Sequence, residues 1–143
     1  MAERGRILVA DDENLIRTFL SDTLELFGYE VIMAADGEEA LAKVRSENPD
    51  LVLLDIMMPK RNGNQVAREL KGNPATSGIP IIIVTTLPAM PVDLTGLVEA
   101  YVQKPLRVQD LLKHVWKLLP ARGASPSPSG PLPPTPARTA RRP

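Results

Sequence analysis

Three aspartates follow two short apolar runs of the chain. Asp11 and Asp12 come directly after Ile7–Ala10, and Asp55 comes directly after Leu51–Leu54. An apolar run of four residues without helical spacing is typical of a buried parallel strand. Because ligands bind at the carboxyl ends of the strands in an open α/β sheet, we expect the three carboxylates to converge on one spot.

Two more apolar runs end in polar groups. Ile81–Val84 leads into Thr85, and Tyr101–Gln103 leads into Lys104 and Pro105. Three carboxylates, a hydroxyl and an amine at four strand ends describe a magnesium-dependent phosphoryl-acceptor site, because Mg²⁺ favours carboxylate, water and phosphate oxygens.

The chemistry open to these groups is phosphoryl transfer. An ionised Asp55 can attack phosphorus in line and form an acyl phosphate. Asp12 and Asp55 can bind Mg²⁺ directly, Asp11 can hold a coordinated water, and a backbone carbonyl after Asp55 can complete the protein ligands. Lys104 offers a positive charge to the phosphoryl oxygens, and the Thr85 hydroxyl can donate a hydrogen bond to one of them. Since phosphoryl transfer depends mainly on positioning and charge neutralisation, these groups are chemically sufficient.

The composition excludes several other kinds of site. The 143 residues are 43% hydrophobic and 24% charged, which is ordinary for one globular domain. The chain has no cysteine, so disulfides, thiol nucleophiles and cysteine metal sites are excluded. No apolar stretch reaches the roughly 18 residues of a membrane helix, and no signal peptide is recognisable before Asp11. We therefore expect a cytoplasmic protein without membrane contact.

Charge is unevenly distributed along the chain. Residues 1–120 carry 13 of the 17 basic residues and all 17 acidic ones. Residues 121–143 carry four arginines and no acid, are rich in proline, serine, alanine and threonine, and contain one large apolar residue, Leu132. Such a segment cannot bury enough surface to offset its ordering entropy. The sequence therefore predicts one folded domain, 1–120, and a disordered Pro/Arg-rich tail or linker, 121–143.

Strand and helix patterns alternate along the folded domain. This order predicts parallel strands joined by right-handed crossovers, with helices on both faces of the sheet. The turn after the first strand holds two carboxylates and no glycine, which excludes the dinucleotide-binding and P-loop folds. The expected elements are strand Ile7–Ala10, helix Asn14–Phe27, strand Glu30–Ala34, helix Glu38–Glu47, strand Leu51–Leu54, helix Asn64–Lys71, strand Ile81–Val84, strand Ala100–Gln103 and helix Val108–Leu119.

Several stretches, in this order, resemble the receiver domain of two-component response regulators, the CheY-like family. They are Ile7–Glu13, Ala34–Leu41, Asp50–Pro59, Gly63, Pro80–Thr85 and Lys104-Pro105, and they span residues 6–119. The resemblance implies a doubly wound, five-stranded, flavodoxin-like parallel sheet with strand order 2-1-3-4-5.

The resemblance also implies a role for each site residue. Asp55 is the implied phosphoacceptor, which takes its phosphoryl group from a phosphohistidine on a sensor histidine kinase. Asp11, Asp12, Asp55 and the backbone carbonyl of Met57 are the implied ligands of Mg²⁺, Asp11 through water. Lys104, whose bond to the following proline is cis in relatives, contacts the phosphoryl group.

Thr85 and Tyr101 are the implied switch pair. When a phosphoryl oxygen draws Thr85 inward, the ring of Tyr101 turns in behind it. This movement remodels the face made by the fourth helix, the fifth strand and the last helix. The resemblance implies that a downstream protein, unknown from the sequence, binds that face.

The segment between the fourth and fifth strands departs from the family pattern. Thr86–Ala100 is about three residues short, and Pro88 and Pro91 rule out a regular helix directly after Thr85. We expect a shortened fourth helix of about two turns near Val92–Glu99. Its apolar residues either face inward or form an exposed apolar patch that binds a partner protein or a second copy of this chain.

Two apolar residues stand at variable positions that, in the family, border the path of the hydrolytic water. They are Met57 and Leu87, and neither side chain can orient a water molecule. We therefore expect a relatively long-lived acyl phosphate.

Together these features predict a stand-alone receiver that acts as a switch. It is not expected to be an enzyme beyond accepting its own phosphoryl group and slowly dephosphorylating itself. No recognisable DNA-binding domain follows, so we expect no direct contact with nucleic acid, and either a monomer or a phosphorylation-dependent dimer. The alternatives are a phosphorelay intermediate and a phosphorylation-independent docking module with the same fold. A hydrolase of the haloacid-dehalogenase type would need an acid where Met57 stands.

Overall fold

Five parallel strands form one sheet in a computed structural model that describes residues 5–119. The strands are β1 (Arg6–Ala10), β2 (Glu30–Ala34), β3 (Leu51–Leu54), β4 (Ile81–Thr85) and β5 (Ala100–Gln103). The helices are α1 (Asn14–Leu26), α2 (Gly37–Glu47), α3 (Gly63–Lys71) and α4 (Val108–Leu118), with one 3-10 turn, η1 (Val92–Leu94). The strands are hydrogen-bonded in the order β2-β1-β3-β4-β5, and every pair is parallel. The predicted fold class and strand order are confirmed.

Each face of the sheet carries an apolar layer. Along β1, Leu8 and Ala10 belong to one layer, whereas Ile7 and Val9 belong to the other. The first layer includes residues of α2, α3 and the β4–β5 connection, and the second includes residues of α1 and α4. Because β3 and β4 are covered on both faces, every residue of these two strands is buried.

Capping residues hold two helices at the edge of the sheet where the strands end. Asp36 caps α2 by accepting a hydrogen bond from the backbone three residues on, and Asn62 and Gln65 form a capping box at the start of α3. The loop between β3 and α3 lies so close to α2 that a Cβ on Gly37 would come within 2.0 Å of the Arg61 carbonyl oxygen. Only glycine permits this approach, which fixes the loop beside the strand ends.

The β4–β5 connection is where the structure departs most from the prediction. The fourth helix is shortened, as expected, but to the three residues of η1 instead of two α-helical turns over Val92–Glu99. Pro91 precedes the turn, and Gly96 takes a left-handed conformation (φ 81°) that ends regular structure soon after it. Leu94 is fully buried, whereas Val92 is 90% exposed.

The remaining elements match the predicted bounds to within one residue. The tail predicted at 121–143, and with it the end of the 1–120 domain, lies outside the described residues. Within residues 5–119, no helix is both long enough and apolar enough to cross a membrane.

Candidate functional site

Three carboxylates converge where β1 and β3 end. β1 and β3 are neighbouring strands in which Ala10 pairs with Leu54, so Asp11, Asp12 and Asp55 leave the sheet side by side. One oxygen of each carboxylate lies within 4.8 Å of the others. Asp11 and Asp55 are only 2% and 5% exposed, whereas Asp12 is exposed. The predicted convergence of the three acids is confirmed.

Lys104, at the end of β5, reaches into this acidic group. Its Nζ lies 2.6 Å from Asp11 Oδ2, 3.2 Å from Asp55 Oδ2 and 3.4 Å from Glu13 Oε1. Burial alone would lower the pKa of Lys104, but hydrogen bonds and charge from Asp11 and Asp55 outweigh burial and raise the pKa. The amine is therefore protonated at neutral pH. Its bond to Pro105 is cis, as the family resemblance implies.

Burial raises the pKa of Asp55 above its ordinary range. The positive charge of Lys104 opposes this shift, and the negative charge of Asp11 adds to it. A carboxylate with a raised pKa is more basic, and an added positive charge beside it would favour its ionised form. A cation bound beside Asp55 would therefore stabilise its ionised carboxylate.

Asp11 has a partner on each of its acceptor groups. Its Oδ1 accepts from the Glu13 N–H at 2.9 Å, its Oδ2 accepts from Lys104, and its backbone carbonyl accepts from Arg17 at 2.6 Å. Glu13 and Arg17 were not assigned to the site from the sequence. Their one sequence signal was closeness to the aspartate pair, since both contacts depend on how the chain turns from β1 into α1.

The loop that follows Asp55 packs tightly under the site. The Met57 N–H donates to Asp55 Oδ1 at 3.3 Å, and the Gly63 N–H donates to the Ile56 carbonyl at 2.8 Å. A Cβ on Gly63 would lie 2.3 Å from the Asp55 carbonyl oxygen, so the first turn of α3 touches the backbone of Asp55. The Met57 side chain is 59% exposed at the rim of the site.

Thr85 and Tyr101 are joined through the backbone of Leu87. The Leu87 N–H donates to Thr85 Oγ1 at 3.4 Å, and the Tyr101 hydroxyl donates to the Leu87 carbonyl. Thr85 is fully buried at the end of β4, and the half-buried Tyr101 packs against the first apolar layer. The Leu87 side chain packs against the same layer. The implied switch pair is thus linked, although its switching role stays a prediction.

The donor atoms fit a hard cation. All three acids offer carboxylate oxygens, the ligands that Mg²⁺ takes in proteins, and no histidine or cysteine joins the group among residues 5–119. Within the same described residues, the Asp12 carboxylate forms no hydrogen bond or ion pair with protein, so its oxygens are open to a ligand. The catalytic, switch, metal and dephosphorylation roles assigned to individual residues stay predictions.

Comparison with known protein families identifies the domain. Residues 7–116 match the family model of the response regulator receiver domain. The chain belongs to the response regulator receiver family. This receiver is also similar to a solved structure of the response regulator TrrA from Thermotoga maritima in complex with Mg²⁺ and BeF, with 40% sequence identity and a TM-score of 0.74 over 80% of this chain and 98% of that one.

Two named relatives bear on what the receiver controls. The probable transcriptional regulator ycf27 of Cyanophora paradoxa is 45% identical over 119 residues, which are 81% of this chain and 48% of that protein. The response regulator MprA of Mycobacterium tuberculosis is 37% identical over 117 residues, which are 80% of this chain and 50% of that protein. The receiver thus spans about half the length of these relatives.

These relatives correct one prediction. A stand-alone receiver with no direct contact to nucleic acid was expected, and this expectation is wrong, because several similar proteins are named transcriptional regulators. It depended on the lack of a recognisable DNA-binding pattern after residue 120. The residues of the receiver itself do not determine which output it controls, so its site could not have supported that conclusion.

Proposed function

We propose that this receiver is the phosphorylation switch of a transcription-controlling response regulator, with Asp55 as the phosphoacceptor and Mg²⁺ as the cofactor. The contact of the Lys104 amine with both Asp11 and Asp55 carries the proposal, because it gathers the acceptor, an acidic partner and a fixed positive charge in one buried place. The relatives' names support the transcriptional output, and the Mg²⁺–BeF complex of TrrA supports the cofactor.

The proposed reaction moves a phosphoryl group from a phosphohistidine of a sensor histidine kinase. A carboxylate oxygen of Asp55 attacks phosphorus, the P–O bond forms as the P–N bond breaks, and the electron pair of that bond stays on the imidazole nitrogen. Lys104 neutralises charge on the phosphoryl oxygens, and Thr85 donates a hydrogen bond to one of them.

Asp12 and Asp55 would hold the cation directly, and Asp11 would hold it through water, because Asp11 already has a partner on both carboxylate oxygens. The chemistry supplied by bound Mg²⁺ is charge neutralisation, which offsets repulsion between the acids and the incoming phosphate. The backbone carbonyl of Met57 completes the ligands in this proposal. The protein is otherwise a switch and not an enzyme, since its only substrate is its own Asp55.

The output surface in this proposal combines the β4–β5 connection, β5 and α4. Thr85 is drawn towards the phosphoryl group, and the movement reaches Tyr101 through their shared contacts with Leu87. A groove of about 520 Å³ lies between β5 and α4 on this surface. It is lined by Tyr101, Val102, Gln103, Pro105, Arg107, Asp110, Lys113 and His114. A cytoplasmic location and a monomer or phosphorylation-dependent dimer stay predictions of the sequence.

The test is intact-protein mass after incubation with acetyl phosphate, with and without Mg²⁺, for the wild type and Asp55→Asn. One phosphoryl adduct that needs both Mg²⁺ and Asp55 is the expected result. Asp50→Asn is the matched control, because Asp50 is an exposed aspartate at the opposite end of the same strand, and this variant should be phosphorylated like the wild type.

Two results would reject the proposal. An adduct that persists in Asp55→Asn would place the acceptor elsewhere. The wild type could also form no adduct although calorimetry shows that it binds Mg²⁺. The protein would then have the receiver fold without accepting a phosphoryl group.

A further inference from the structure

Arg17 lies beside the acidic site without taking part in the chemistry described so far. It stands in the first turn of α1, five residues after Asp12, and is half-buried. One guanidinium nitrogen donates to the Asp11 backbone carbonyl at 2.6 Å, and the other donates to Asn14 Oδ1 at 3.0 Å. The side chain therefore folds back over the turn that carries both aspartates.

The contact with the Asp11 carbonyl fixes the peptide that joins Asp11 to Asp12. That peptide can rotate only if its carbonyl leaves the guanidinium, and such a rotation would redirect the backbone that carries the Asp12 side chain. Hydrogen bonds from a charged donor are short and stronger than neutral ones, so this one resists the rotation. Asp11 itself is fixed independently, by Lys104 and by the Glu13 N–H.

Asp12 depends on this backbone restraint more than the other two acids do. Asp11 and Asp55 each have carboxylate oxygens bound by protein donors. In the described part of the chain, no such donor holds the exposed carboxylate of Asp12. Its direction towards the site is therefore set mainly by the backbone that Arg17 holds.

Arg17 also forms no ion pair within 4.0 Å among residues 5–119, since both of its acceptors are uncharged oxygens. Its positive charge is thus not directly neutralised by a carboxylate. The charge of Arg17 lowers the affinity of the site for a cation by repulsion, whereas the orientation that Arg17 gives to Asp12 raises that affinity. Loss of the charge would strengthen cation binding, whereas loss of the orientation would weaken it. This opposition makes the role of Arg17 separable by experiment.

We propose that Arg17 is a positioning residue that pre-orients Asp12 for the divalent cation by fixing the Asp11–Asp12 peptide. This inference rests on the proposed magnesium-dependent function. Preorganised ligands bind a cation more tightly because less freedom is lost on binding.

The experiment measures the Mg²⁺ dissociation constant by calorimetry for the wild type, Arg17→Met and Arg17→Lys, with thermal melting of each variant as a check on folding. Arg17→Met should weaken Mg²⁺ binding about tenfold, the order expected when one hydrogen bond from a charged group is lost. Arg17→Lys, which keeps the charge and one donor, should recover part of the affinity. Arg45→Met is the control, because Arg45 pairs with Glu69 on α3 and should leave Mg²⁺ affinity unchanged.

A double variant separates positioning from a general loss of stability. With Asp12→Asn in place, Arg17→Met should cause no further loss of Mg²⁺ affinity, since the residue that it orients is gone. In Arg17→Met, phosphorylation by acetyl phosphate should reach its half-maximal rate at a higher Mg²⁺ concentration than in the wild type. At saturating Mg²⁺ the maximal rate should be close to that of the wild type.

The outcomes distinguish this inference from the proposed function. If Asp12→Asn leaves Mg²⁺ affinity unchanged, the proposed metal site itself is wrong. If Asp12→Asn weakens binding but Arg17→Met leaves it unchanged or tightens it, only the role of Arg17 is overturned. The same conclusion follows if the effects of the two substitutions simply add.

Discussion

Asn64 and Asp93, 29 residues apart in the sequence, join α3 to the β4–β5 connection. The Asn64 amide nitrogen lies 3.0 and 3.1 Å from the two carboxylate oxygens of Asp93, and Arg68 Nε lies 3.5 Å from the same carboxylate. The neighbouring Gly63 touches the backbone of Asp55. The connection is therefore tied to the helix that packs against the backbone of Asp55, in addition to its link through Thr85 and Tyr101.

Replacing Asp93 with alanine should loosen the connection without unfolding the sheet. The substitution removes the contacts to Asn64 and Arg68, which are partly exposed, so the cost in free energy of unfolding should be about 1 kcal/mol. Amide hydrogen exchange should become faster across residues 86–98, while the exchange of β1 and β3 stays close to that of the wild type.

Asp22→Ala is the matched control for this experiment, because Asp22 is an exposed aspartate on α1. Unchanged exchange across 86–98 in Asp93→Ala would show that the contacts of Asp93 are not needed to hold the connection in place.

Asp55→Asn should remove one contribution by which the stability of the metal-free protein falls as pH rises. The folded-state pKa of Asp55 is raised, so between the unfolded and folded pKa values the folded protein binds more protons than the unfolded chain. Stability therefore falls as pH rises through that window, and the asparagine variant lacks this contribution. Denaturant unfolding in EDTA, from about pH 3.5 to pH 8, measures the effect. A steeper fall in the variant than in the wild type would contradict the raised pKa.

Lys104→Met should slow phosphorylation of Asp55 by about a hundredfold, the order seen when one preorganised electrostatic group is removed. The variant lacks the only amine in contact with both Asp11 and Asp55 in the described structure. The rate is measured by intact mass with acetyl phosphate and saturating Mg²⁺. Lys117→Met, at an exposed position near the end of α4, serves as the control and should react at the wild-type rate. A rate within twofold of the wild type in Lys104→Met would remove the lysine from the mechanism.

The acyl phosphate should be long-lived, and Met57→Gln should shorten its lifetime. Met57 is exposed at the rim of the site and cannot orient water, whereas an amide can hold a water molecule near phosphorus. We expect hydrolysis to become about tenfold faster, less than the roughly hundredfold that a general base contributes, because an amide can orient water but does not take its proton.

Loss of the phosphoryl adduct with time, followed by intact mass, gives the lifetime. The control is Met33→Gln, which changes an exposed methionine on the edge strand β2, separated from β3 by β1. Fast decay in the wild type would reject the prediction directly.

The sequence predicts the acidic site well because its placement follows from strand ends. Asp11, Asp12 and Asp55 had to meet once Ile7–Ala10 and Leu51–Leu54 were assigned as neighbouring parallel strands, and the lysine at the end of β5 completes the same edge. These inferences need only the period of the strands and the topology of the sheet.

What the sequence could not predict are contacts between side chains that are brought together by loops. No periodicity links Asn64 to Asp93, a residue of the three-residue turn η1 that Pro91 precedes. The position of the Arg17 guanidinium likewise follows from the turn between β1 and α1. A receiver pattern fixes none of these details, and it does not identify the output that the receiver controls.

The β4–β5 connection, which contains η1, also bears on how the surface of this receiver can change through substitutions. Backbone hydrogen bonds join the neighbouring strands β4 and β5, and these bonds do not depend directly on side-chain identity. The β4–β5 connection, in contrast, is held mainly by a few side chains such as Asp93 and Leu94. Substitutions in this segment change the surface offered to a partner without removing a ladder hydrogen bond. The surface of this connection can therefore change through few substitutions while β1 and β3 keep Asp11, Asp12 and Asp55 in place.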